Sequence, residues 1–177
     1  NGDISAAGKT LAVRTTGDGG AISGNPAIVL DGFGLQITTI PQTIFLQNGS
    51  SAISNVALDT GGADITFRQP GIITVATVDG IAGVNATTAN NVALGGLNDT
   101  IGQAGGALII ADQLTTISTG GVAFGVEANQ VTSFNATNTG GGTIALNDAV
   151  GDLDIVGIAA DGANVTLITA GDSAVDD

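Results

Sequence analysis

Apolar and polar positions alternate along this chain in short bursts, with no long amphipathic stripe. The first half carries Thr10-Leu11-Ala12-Val13, Ala27-Ile28-Val29-Leu30, Leu35-Gln36-Ile37, Thr43-Ile44-Phe45-Leu46, Asp64-Ile65-Thr66-Phe67 and Ile72-Ile73-Thr74-Val75. The second half continues with Asn91-Val92-Ala93-Leu94, Ala107-Leu108-Ile109-Ile110, Gly121-Val122-Ala123-Phe124, Thr143-Ile144-Ala145-Leu146, Leu153-Asp154-Ile155 and Asn164-Val165-Thr166-Leu167. Gly, Asn, Asp and Ser, the turn formers, fence these runs, and β-branched residues fill them. No long stretch keeps the i, i+3, i+4, i+7 spacing free of Gly and β-branched residues, so helices are not expected. The pattern predicts an all-β fold of many short strands.

The spacing of the runs separates a sandwich from a stack of coils. Val122/Phe124, Ile144/Leu146 and Val165/Leu167 repeat one apolar pair after 22 and then 21 residues, and Ile44/Leu46 and Ile65/Phe67 lie 21 apart. A second phase, Leu108/Ile110, Val131 and Leu153/Ile155, steps by 23 and then 22. A sandwich also supplies short strands, but it has no reason to repeat one apolar pair at constant spacing. A period of about 20–23 residues with two or three strands per period predicts a parallel β-helix, or β-solenoid, whose coils stack about 4.8 Å apart. One domain over residues 1–177 with about eight coils is expected. It is most regular over 106–172 and less so over 1–75 and 76–105, where an insertion or longer loop fits the broken spacing. The three prolines, Pro26, Pro41 and Pro70, all fall in the first half.

Composition narrows the chemistry. The 177 residues include 29 Gly and no Cys, Met, Trp, Tyr or His, and 16 acidic residues face 3 basic ones for a net charge of -13. Without thiolate or imidazole, zinc, haem, iron–sulfur, Cys–His and Ser–His chemistry lack their usual groups. Lys9, Arg14 and Arg68 form no basic patch, so neither nucleic acid nor an anionic membrane surface is an expected partner. No apolar run approaches the length of a membrane-spanning helix, and no membrane insertion is expected. Such net charge usually accompanies disorder, but a hydrophobic fraction of 43% and a mean hydropathy of +0.42 predict a folded chain. Five Phe and no Trp suit a narrow core of stacked layers. The missing Met at position 1 suggests a processed chain or a fragment of a larger protein, and the lack of Cys is consistent with secretion.

Candidate sites are acidic. Asp148, Asp152 and Asp154, next to Asn147, form the densest carboxylate cluster, and hard oxygen ligands at such spacing suit Ca²⁺, with Asp152 and Asp154 expected on one side of a strand. Asp172, Asp176 and Asp177 invite the same reading. Gly95-Gly96-Leu97-Asn98-Asp99-Thr100-Ile101 resembles one unit of the calcium-binding nonapeptide repeat, which adds Asp99 to the candidates, although Asn98 replaces a Gly and no tandem copy follows. The competing reading makes all of these solvated turn residues. Paired carboxylates also serve polysaccharide cleavage, but three basic residues and no Trp or Tyr leave little to hold a sugar polymer. Ice-binding Thr ladders are represented only by Thr137-Asn138-Thr139, and the N-x-[ST] matches at Asn48, Asn85, Asn98, Asn135 and Asn164 are background in a chain this rich in Asn and Thr.

Gly62-Ala63-Asp64-Ile65-Thr66-Phe67, Gly142-Thr143-Ile144-Ala145-Leu146-Asn147 and Gly162-Ala163-Asn164-Val165-Thr166-Leu167-Ile168-Thr169 resemble the degenerate β-strand repeats of filamentous-haemagglutinin-like secreted exoproteins. The resemblance implies a right-handed parallel β-helix in a secreted surface fibre or adhesin. The expected function is a non-catalytic extracellular structural or adhesive module that forms a homo-oligomer or filament by end-to-end stacking of coils. No cofactor beyond a candidate Ca²⁺ is implied. The alternatives are an S-layer-like or carbohydrate-binding surface module and a polysaccharide-degrading β-helix enzyme.

Overall fold

The structure is a computed structural model that describes residues 4–6, 8–15, 22–24, 28–38, 40–47 and 49–170. In chain order the strands are β1 (Ile4–Ser5), β2 (Thr10–Thr15), β3 (Ile22–Gly24), β4 (Ile28–Ile37), β5 (Ile44–Gln47) and β6 (Ala52–Asp59). There follow β7 (Ile65–Gln69), β8 (Ile73–Val75), β9 (Thr77–Val78), β10 (Ile81–Ala82), β11 (Val84–Asn85) and β12 (Val92–Gly96). The last are β13 (Ile101–Gln103), β14 (Ile109–Ser118), β15 (Val122–Asn138), β16 (Ile144–Asp148), β17 (Asp154–Ala160) and β18 (Val165–Thr169). Among the described residues there is no helix, and every strand except the β9–β10 pair joins one continuous parallel sheet.

That sheet is wound into a solenoid with three faces. On the first face, β3, β5, β7, β12, β14, β15 and β17 stack in turn and align Ile22, Ile44, Ile65, Val92, Leu114, Phe134 and Ile155 in one row. On the second face, β8, β13, β15, β16 and β18 align Ile73, Ile101, Val122, Ile144 and Val165. The third face joins β2, β4, β6, β11, β14 and β15. The longer strands β4, β6 and β14 pass through a corner and serve two faces, and β15 runs through all three.

Period-two alternation explains the core. Residues at every second strand position point into the bore, and the inward rows of the middle coils are Ile, Val, Leu, Phe and Ala, nearly all fully buried. The apolar pairs of the sequence lie in the expected register: Val122 over Ile144 over Val165, Phe124 over Leu146 over Leu167, and Ile44 and Leu46 beside Ile65 and Phe67. The second expected phase is displaced by one residue. Ile109 and Ala111, not Leu108 and Ile110, point inward, and Ala111 aligns with Val131. A one-residue shift moves a strand's side chains to its other face, and in a run of consecutive apolar residues the pattern does not select the parity.

The expected solenoid is present, but with about six turns in place of about eight. Steps along the first-face row are 22, 21, 27, 22, 20 and 21 residues, so the rows span six turns between Ile22 and Ile155. Dividing the whole length by 22 counts the end segments as complete coils and overlooks the long turn.

That long turn houses the β9–β10 hairpin. Asp79 and Gly80, with φ of 49° and 80°, make its two-residue loop, and such turns need positive φ at both positions. Val78 and Ile81 of the hairpin cover the outer side of the third face, where Ala12, Gly34 and Ala57 form an aligned row. Gly34 makes the seat: a Cβ there would lie 3.1 Å from both the Ile81 Cδ1 and the Val78 carbonyl oxygen. Arg14 clips the hairpin tip through an ion pair with Asp79 at 2.9 Å.

Candidate functional site

Two features stand apart from the regular apolar stack: a buried polar corner and an open end. The corner lies where the second face turns into the third. Gln103, Asn129 and Asp148 occur there in successive coils, all buried. Gln103 and Asn129 exchange amide hydrogen bonds, Nε2 to Oδ1 at 2.6 Å and Nδ2 to Oε1 at 3.3 Å. The Asn129 Oδ1 also accepts from the Ile109 N–H at 2.9 Å, and its Nδ2 donates to the carbonyls of Phe124, Glu127 and Asn147. One coil further on, Asp148 aligns with Asn129 and repeats the first of these contacts, its Oδ1 accepting from the Val131 N–H at 2.9 Å. A chain that bends out of the ladder leaves backbone groups unpaired, and these side chains take them up.

Asp148 is thereby committed to the backbone, since its Oδ2 also accepts from Val150 N–H at 3.2 Å. Burial pushes its carboxyl above the usual range, against backbone hydrogen bonds from Val131, Val150 and Ala149 that pull it down.

The other expected ligands are dispersed. Asp154 opens β17, whereas Asp152 lies in the turn before it, so the two do not share a strand, and both are exposed. Asp99 sits half-buried at the corner between the first and second faces, where its carboxylate accepts from Thr100 N–H at 2.8 Å. Among the described residues no group of three or more His, Cys, Asp or Glu is placed to hold a metal ion. Asp172, Asp176 and Asp177 lie outside the described residues.

The open end is formed by β17 and β18. Each pairs on one side only among the described residues, β17 with β15 and β18 with β16. Their inward rows continue those of the core. Yet Phe134 and Ile144 are 0% exposed, while Ile155 and Val165, the next residues in the same two rows, are each 43% exposed. Leu153, Ile158 and Leu167 are half-buried beside them. Among the described residues no further strand covers this layer, and Asp152, Asp154 and Asp161 near it are exposed.

The sides of the solenoid are different. The outward row of the second face is Thr74, Gly102, Ala123, Ala145 and Thr166, and one outward row of the first is Phe45, Thr66, Ala93, Thr115 and Asn135. Neither contains a carboxylate. Comparison of the chain with protein-family models, curated proteins and solved structures finds no match. Gln103 and Asn129 escaped the sequence reading, although Gln103 occupies an inward position at the end of an apolar alternation, where a polar residue marks a corner.

Proposed function

We propose that this chain is a non-catalytic structural or adhesive module of an extracellular surface fibre, filament or matrix, joined to other β-coils through its ends. The observation that supports this reading is the continuous parallel stacking: among the described residues every strand except the β9–β10 pair joins one solenoid sheet, an architecture that extends by adding further parallel rungs. The first-face row steps through six turns without a break in its parallel pairing, which suits a load-carrying rod segment of about 30 Å. The strand repeats that resemble filamentous-haemagglutinin-like exoproteins favour a cell-surface setting. The carboxylates at turns and corners, among them Asp64, Asp99, Asp152 and Asp161, keep neighbouring modules apart sideways.

Electron microscopy of the purified protein, with millimolar Ca²⁺ and with chelator, tests the reading. Filaments whose axial repeat is a multiple of the coil spacing are expected. Their loss in chelator alone would assign a Ca²⁺ role to the acidic turns, and compact monomers under all conditions would reject the fibre reading.

A further inference from the structure

We infer that the outer side of the first face docks against the same face of a second copy of this chain, the two solenoids lying side by side with parallel axes. The contact is lateral, so it goes beyond the end-to-end joining proposed above and does not depend on it.

This face differs from the rest of a chain whose net charge is -13. One outward row runs from Phe45 through Thr66 to Asn135, and the next from Gln47 through Arg68 and Gly95 to Thr137. Asp64 stands just before β7, two positions ahead of Thr66 and therefore on the same side. Among the described outward positions of this face from β5 to β15, Asp64 and Arg68 are the charged ones. Phe45 in the first row is 46% exposed.

Neither charge is paired within its own chain. Among the described residues Arg68 makes no hydrogen bond or ion pair, and its Nε is buried without a partner. Its stem lies over Gly95 of the next coil, where a Cβ would come within 2.8 Å of the Arg68 Cγ. The Asp64 Oδ1 accepts from the Asn91 N–H at 2.8 Å, and its carboxylate enters no ion pair among the described residues. Four positions along one strand, about 13 Å, keep Asp64 and Arg68 from meeting each other. Asn91 and Gly95 both belong to the next coil, so the two side chains lean the same way along the stack.

That shared lean selects one arrangement. A two-fold parallel to the solenoid axis and passing over Thr66 reverses strand direction and sets each coil opposite its own copy. It brings Asp64 opposite the second copy's Arg68 and Arg68 opposite the second copy's Asp64, so two reciprocal pairs form with their lean matched. The row from Phe45 to Asn135 then falls on the axis, with the two Phe45 rings facing each other. A two-fold along the strands would instead set Arg68 on Arg68 and Asp64 on Asp64. The carboxylates at turns and corners keep copies apart in other sideways arrangements, whereas in this one Asp64 meets a cation. A strip of five coils buries about 800 Å² in total, the size of a transient contact, which repetition along a fibre multiplies.

Charge reversal, followed by sedimentation velocity up to millimolar protein, tests the pairing. The wild type should form a concentration-dependent dimer. R68D and D64R each set like charges together at both sites and should weaken dimerisation at least about tenfold. An equimolar mixture of the two should recover it as a one-to-one heterodimer, because every acidic position of one then faces a basic position of the other. The double swap D64R/R68D should recover the homodimer for the same reason. Loss of folding cannot produce these recoveries, and circular dichroism and thermal melts of each variant check the fold directly. Unaltered association of both single variants into filaments would overturn the lateral pairing and leave the end-to-end reading intact. The pairing is equally overturned by a mixture that recovers nothing, and by a wild type that stays monomeric at every concentration.

Discussion

The middle coils and the last coil are built from the same sequence units, yet they differ in how far they are closed. Val122/Phe124, Ile144/Leu146 and Val165/Leu167 are near copies in strict register, and the first two pairs are fully buried while the third is not. Burial in a solenoid depends on having a coil on both sides, because each inward side chain is covered by its neighbours in the row more than by anything across the bore. The same residue type is thus fully buried in one coil and partly exposed in another.

Substitutions at matched positions should break this symmetry most visibly. Val122→Ala, in the row that ends at Val165, opens a cavity in a closed layer and should cost about 2–3 kcal/mol in chemical denaturation. Val165→Ala, measured at dilutions where the protein is monomeric, should cost less than about 1 kcal/mol, since much of that side chain is already in water. Equal losses at the two positions would mean that the last layer is covered in solution.

The polar corner offers the next contrast. Asn129→Ala removes the acceptor of the Ile109 N–H and the donor to three carbonyls, and should cost about 2–4 kcal/mol. Not every buried polar group is so employed. Thr116 Oγ1 and Ser118 Oγ are buried without a hydrogen-bond partner. Thr116→Val, which keeps the shape and removes the unpaired hydroxyl, should therefore raise stability by about 1 kcal/mol; a loss would show that the hydroxyl is satisfied in solution.

Asp148 sits at the boundary between the two regions and sharpens the comparison through pH. Its carboxyl is raised by burial, so the folded state holds the proton to higher pH than the unfolded state does. The sign follows: the cost of ionising it is absent below the unfolded value near 3.8, grows as pH rises through it, and is complete above the raised folded value. Asp148→Asn retains an acceptor for Val131 N–H, as Asn129 does for Ile109, and loses the one for Val150. Its stability at neutral pH should lie within about 1 kcal/mol of the wild type. Urea denaturation between pH 3.5 and 7 should show that the variant lacks the wild-type loss of stability on raising pH, and an identical pH profile would remove Asp148 from this role.

Much of the architecture was legible before any coordinates. All twelve runs of alternating residues overlap observed strands, and the 21- and 22-residue spacing of the apolar pairs is the true register. What stayed hidden has physical causes. Strand β6 was missed because Ser54-Asn55 interrupt its apolar pattern where the strand rounds a corner, and both are exposed. The β9–β10 hairpin was hidden in the broken spacing of the middle, though Asp79-Gly80 between Thr77-Val78 and Ile81-Ala82 is a recognisable turn signal. The acidic cluster at 148–154 read as one site, but the chain turns Asp148 inward and leaves Asp152 and Asp154 outside.

The sequence alone determined what is periodic: strands instead of helices, parallel coils instead of a sandwich, and the inward rows through Val122/Phe124, Ile144/Leu146 and Ile44/Leu46, since these follow from side-chain alternation and a repeat length that local residues encode. Only the tertiary structure decided the features that depend on which coil lies next to which: the parity of the Leu108–Ala111 run, the backbone groups that Asn129 and Asp148 satisfy, and the seat of the hairpin on Gly34. Those are properties of neighbours brought together from about twenty residues away, and no local pattern carries them.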